Sequence, residues 1–141
     1  MNTVFHYWCG AINYNHVKDR YLKYLLISAE SLISHGVNPV NIYASIDPRL
    51  INSPFLSGVK SLGINILPHI EYTNYSKSTS LNLFLKSHPE AEKVVQIDCD
   101  TVCTSAISIE KINRADGAAI IIDEAPPQNQ PLYDLIKKIG R

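Results

Sequence analysis

Asp98 and Asp100, two aspartates separated by one residue, are the groups in this chain best placed to do chemistry. They follow directly on a short apolar run, Val94-Val95-Gln96-Ile97. That length and β-branched content predict a buried strand. In an extended chain, residues two apart point the same way, so both carboxylates can aim at one point. Two acids at one strand end repel each other unless something positive sits between them. A hard divalent cation with oxygen ligands meets that need. The plainer reading of a short Asp-x-Asp is a solvated turn. Context favours the ligand reading: the pair closes a strand inside an alternating strand–helix pattern, where open sheets place their ligands.

The other reactive groups point elsewhere. Cys9, Cys99 and Cys103 do not make a disulfide framework. Cys99 and Cys103 have no further Cys/His pair nearby to complete a zinc site. Reduced cysteines in a cytoplasmic protein are the simpler expectation. The charge is balanced, with 13 basic and 13 acidic residues, and the longest basic tract is Lys137-Lys138. A nucleic-acid-binding face is therefore disfavoured. No apolar run approaches a membrane span, and the N-terminus lacks the basic flank and apolar core of a signal peptide. At 141 residues the chain is expected to be a single domain, 1–141, with a real core.

The elements that must position the acids follow a regular rhythm. Thr3 to Cys9 is rich in β-formers and predicts a first strand, with Val4, His6 and Trp8 on one face and Phe5, Tyr7 and Cys9 on the other. Gly10 ends it and permits close backbone approach, although no GxGxxG or GxxxxGK[ST] phosphate loop is present. Val17 to His35 predicts a helix, with Leu22, Leu25, Leu26, Ala29, Leu32 and Ile33 on one stripe. Asn15 is its expected cap and Gly36 its expected stop, with His35 facing the last carbonyls. A strand over Val40 to Ile46, a weaker helix over Leu50 to Leu62 and a strand over Ile64 to Leu67 come next. After a polar, aromatic segment with Tyr72, Tyr75 and Lys77, a helix over Ser78 to Ser87 leads into the strand before the acids. Beyond them, Ile107 to Ile112 reads as a short helix or turn, and Gly117 to Ile122 as a buried strand ending at Asp123-Glu124. Leu132 to Ile139 closes the chain as a short helix. This β-α-β-α-β order predicts an α/β, Rossmann-like, mostly parallel, doubly wound sheet.

The stretch Glu92-Lys93-Val94-Val95-Gln96-Ile97-Asp98-Cys99-Asp100-Thr101-Val102 resembles the strand-then-DxD signature of GT-A-fold glycosyltransferases, which use nucleotide-sugar donors. The resemblance implies Mn²⁺ or Mg²⁺ held by Asp98 and Asp100 against the donor diphosphate. Asp100 would coordinate directly, and Asp98 would contact the ribose or a metal-bound water. His6-Tyr7-Trp8-Cys9-Gly10 is similar to the first strand of some members, where an aromatic stacks on the nucleobase. That places Tyr7 and Trp8 at the donor. The helix before the DxD strand often offers it a polar or basic group, which here implies Lys77 and Asn82.

The expected function is transfer of sugar from a nucleotide-diphosphate donor, a uridine-diphosphate sugar above all, to an acceptor. Such enzymes carry an acceptor-binding second half, often with a metal-ligating His. All five histidines here precede the acids, so the resemblance implies a donor-binding half, or a binding module without catalysis. Asp98-Cys99-Asp100-Thr101-Val102-Cys103 also resembles the first motif of HAD-type phosphatases, in which the first Asp is the nucleophile.

Overall fold

The first strand is the centre of the molecule. The computed structural model describes residues 3–68 and 76–114. Within them β1 (Thr3–Cys9) buries every residue except Trp8, which is half-buried. Burial on both faces is what a near-continuous run of Val, Phe, Tyr and Trp demands. β2 (Ile42–Ile46) and β4 (Lys93–Ile97) flank β1, and β3 (Asn65–Pro68) lies outside β2, giving the order β3-β2-β1-β4. Every pairing is parallel: Phe5 lies beside Ile42 and Val95, and Tyr7 beside Ala44 and Ile97.

Two helical layers cover this sheet. On one face, Leu22, Leu25, Ala29 and Leu32 of α1 (Arg20–Ser34) join Leu56 and Val59 of α2 (Phe55–Ser61) against Phe5, Tyr7 and Cys9. Each such leucine contributes roughly 1.5–3 kcal/mol on leaving water. On the other face, Phe84 of α3 (Ser76–Ser87) sits 5.0 Å from the His6 ring and 4.9 Å from Tyr43, with His88 stacked on it at 4.5 Å. A short α4 (Ile109–Arg114) follows. The chain steps outward from β1 to β2 to β3 with α1 and α2 on one face. It then returns through α3 on the opposite face to place β4 on the far side of β1. Right-handed crossovers require that change of face when the direction of winding reverses. The fold is the α/β, Rossmann-like, doubly wound arrangement expected, with its reversal between β1 and β4.

Several boundaries move, for local reasons. α1 begins at Arg20, not Val17; Asn15–Val17 forms a separate 3-10 turn, and the Ile12 amide closes this loop onto the Lys18 carbonyl at 3.0 Å. Gly36, at φ +100°, ends α1 as expected: its N–H bonds the Ile33 carbonyl while Val37 N–H reaches Leu32 O, both at 3.1 Å. His35 Nδ1 lies 2.8 Å from the Ser31 carbonyl, the position expected of it. Val40 belongs to a 3-10 turn, Pro39–Asn41, because Asn38 accepts its N–H, so β2 starts at Ile42. The helix expected over Leu50 to Leu62 is split by Pro54 into a turn, Pro48–Leu50, and α2. β4 is half-buried throughout rather than fully buried; it is one of the two outer strands among the described residues. The expected strand over 117–122, the acids Asp123 and Glu124 and the helix over 132–139 lie outside the described residues, as do Tyr72 and Tyr75. Among the described residues no helix is long and apolar enough to cross a membrane.

Candidate functional site

The direction of winding reverses between β1 and β4, and a crevice lies at the carboxyl ends of these two strands. A cavity of about 310 Å³ lies there, lined by Trp8 and Gly10 from the end of β1, Tyr21 and Lys77 from the first turns of α1 and α3, and Asp98, Cys99 and Asp100. That volume falls at the small end of the range for ligand sites.

The acids reach the cavity from a turn, not from an extended strand. β4 stops at Ile97, and the Thr101 amide and hydroxyl both bond the Asp98 carbonyl, at 3.3 and 2.7 Å. Between the acids, Cys99 turns inward and is buried, its thiol donating to the Trp8 carbonyl at 3.2 Å. The turn thus hangs from the sheet by its middle residue and leaves Asp98 and Asp100 exposed on either side. Convergence on one cavity survives; its cause is an anchored turn rather than strand alternation.

The other residues expected at the site divide. Lys77 extends across the cavity and its Nζ donates to Asp98 Oδ1, each side chain about half exposed. Such an exposed pair contributes about 0.2–1 kcal/mol. Trp8 lies at the cavity with its indole against Gly10: a Cβ on Gly10 would stand 3.3 Å from Trp8 Nε1. Glycine is thus what lets the ring lie over the backbone. Tyr7, by contrast, does not line the cavity. Alternation sends it to the α1 face, where it is fully buried with its hydroxyl 2.8 Å from Ser28 Oγ, and burial pushes its phenol up. Asn82 is exposed but also absent from the lining. It lies five residues past Lys77, which at 3.6 residues per turn is about 140° around α3.

A cation suits this donor set. Two residues with hard carboxylate oxygens line one cavity, and the Lys77 ammonium stands as a cation on one of them. Among the described residues no cluster of three or more His, Cys, Asp or Glu could complete a metal cage. Mg²⁺ and Mn²⁺ sites that use one or two carboxylates draw their remaining ligands from water and substrate phosphates. The adjoining Cys99 thiol and burial both raise the Cys9 pKa, keeping it protonated.

Two supporting groups carry no signal in local sequence spacing. Asp47, after β2, is fully buried, with its carboxylate accepting from Ala11 N at 3.2 Å and from Arg49 N, Nε and Nη2 at 2.9, 3.1 and 2.8 Å. Burial alone would raise its pKa, but the Arg49 guanidinium and these N–H donors hold it below the usual carboxylate range. Arg49 in turn grips Asn13 Oδ1 at 3.0 Å, so the pair fastens the loop that follows Gly10. Asp-Pro after a strand marks the turn but not the partner. His6 spans three strands on the α3 face, with Nδ1 2.7 Å from Gln96 Oε1 and Nε2 2.9 Å from Ser45 Oγ. Burial holds its pKa down, so it acts as a neutral link.

A second cavity, of about 350 Å³, adjoins the first and shares Cys99 and Asp100 with it; Tyr24, Ile27, Thr101 and Val102 complete its lining. No protein-family model matches the sequence, and no curated protein matches it.

Proposed function

We propose that this domain binds the diphosphate of a nucleotide-sugar donor through a divalent cation on Asp98 and Asp100, and serves as the donor-binding part of a glycosyltransferase acting in the cytoplasm. One observation carries the reading: an acid pair, a mobile-stemmed cation and an aromatic ring share one cavity at the reversal point of a doubly wound sheet. That is the place where open α/β sheets hold nucleotides. Three free cysteines fit the cytoplasmic setting.

Asp100 would give the cation its first ligand, and Asp98 would then join the hold on it, with its own oxygen or through a metal-bound water. Lys77 pairs with the diphosphate, and Trp8, which lines the cavity, offers its ring to the base. When bound, the cation neutralises charge building on the departing diphosphate. Asp98 and Asp100 fix where that charge is met, and the Cys99 anchor holds them there before substrate arrives. The adjoining cavity shares Asp100 with the first and offers room for an acceptor.

Calorimetric titration with uridine diphosphate, with and without Mn²⁺, tests the reading. Wild type should bind only with metal, and Asp100→Ala should lose that binding. Metal-independent binding, or none, would remove the support for it. The scarcity of ligating groups around the pair among the described residues favours one second reading, a nucleotide-sugar-binding module without turnover. It differs in a single readout: metal-dependent binding with no sugar released or transferred.

A further inference from the structure

The contact between Lys77 and Asp98 has a consequence for how the site fills. A carboxylate that pairs with an internal ammonium cannot give the same oxygen to a metal. We propose that Lys77 is an exchange residue: its ammonium holds Asp98 while no cation is bound, the incoming cation displaces it, and the released ammonium then pairs with the diphosphate. The inference rests on the metal-diphosphate reading above and goes beyond it by assigning Lys77 two successive partners.

Three features support the exchange. Lys77 Nζ is on Asp98 Oδ1, and both groups line the same cavity. Lys77 and Asp98 are each about half exposed, 51% and 54%, so the pair is loose enough to break. Asp100, across the anchored turn, carries no ion pair among the described residues, so a cation can land there first and then recruit Asp98. The lysine stem is flexible, with three rotatable donors, and can follow its charge to a new anion in the same cavity.

The exchange makes two effects of opposite sign from one substitution. In Lys77→Met, removal of the competing charge should tighten binding of Mn²⁺ alone by about 2- to 5-fold, the range that an exposed ion pair allows. The same variant should bind uridine diphosphate in saturating Mn²⁺ about 10-fold more weakly, for want of a charge-assisted contact. Mn²⁺ binding is read by the electron paramagnetic resonance signal of the free ion, which needs no turnover. Lys77→Arg should restore diphosphate affinity and keep Mn²⁺ binding at or below the wild-type level. Circular dichroism should show all variants folded, since the pair is exposed.

Unchanged or weaker Mn²⁺ binding by Lys77→Met, with wild-type binding intact and lost in Asp98→Asn, would overturn the exchange and leave the metal reading standing. No Mn²⁺ binding by the wild type would overturn both.

Discussion

Asp47 and Asp98 stand at the same end of the sheet, one after β2 and one after β4, on either side of β1. They have opposite fates. Asp47 is sealed from solvent and accepts from three backbone or guanidinium nitrogens of Arg49 as well as from Ala11. Asp98 is about half exposed and, among the described residues, its carboxylate meets a single lysine side chain. Residue type and topological position are shared, so neither decides the role. The number of fixed donors and the access of water do. A carboxylate whose lone pairs are all spoken for is scaffold. A carboxylate held by one flexible partner is available to a ligand.

The comparison breaks most visibly through stability. Asp47→Ala removes the buried carboxylate that Arg49 pairs with and frees the loop after Gly10. Chemical denaturation should show a loss of about 3 kcal/mol, the lower end for a broken buried pair because Arg49 is partly exposed. Asp98→Asn should cost at most about 1 kcal/mol in the same measurement. Equal losses would abolish the distinction.

Acid sharpens it. The folded Asp47 pKa lies below that of the unfolded chain, so its stabilisation is complete above about pH 4. It is lost as pH falls through the lower folded value. Wild type should therefore lose stability more steeply below about pH 4 than Asp47→Asn does, as read from denaturant midpoints against pH. Parallel acid limbs in the two proteins would show that Asp47 is not held as described.

The smallest effect tests whether the two acid turns are mechanically separate. Gly10→Ala places a methyl against the Trp8 indole. The ring must give by a few tenths of an ångström, which should cost under about 1 kcal/mol of stability. Intrinsic fluorescence of Trp8, the single tryptophan, should shift while the Asp47–Arg49 clamp, and hence the acid limb, stays unchanged.

Much of this architecture is legible in the residues. The apolar run of β1, the Gly36 stop and the α1 stripe identify elements through short-range stereochemistry, and alternation along β1 already separates Tyr7 from Trp8. What stays hidden depends on long-range partners. Asp47 gives no local hint of Ala11, nor Arg49 of Asn13, since those contacts exist only once β1 and β2 are paired. The Asp98–Thr101 turn is likewise set by the inward pull of Cys99 toward Trp8, a residue some ninety positions away. Asn82 is displaced from the cavity by helical phase rather than by sequence distance.

β1 has a hydrogen-bonded neighbour along each edge and a helical layer against each face. It behaves as a fixed post from which the segment after Gly10 is tethered, and beside which the DxD turn is tied by a single thiol. Any adjustment at that end of the sheet then amounts to swivelling short tethers on that post, using a few backbone torsions while the interior stays as it was.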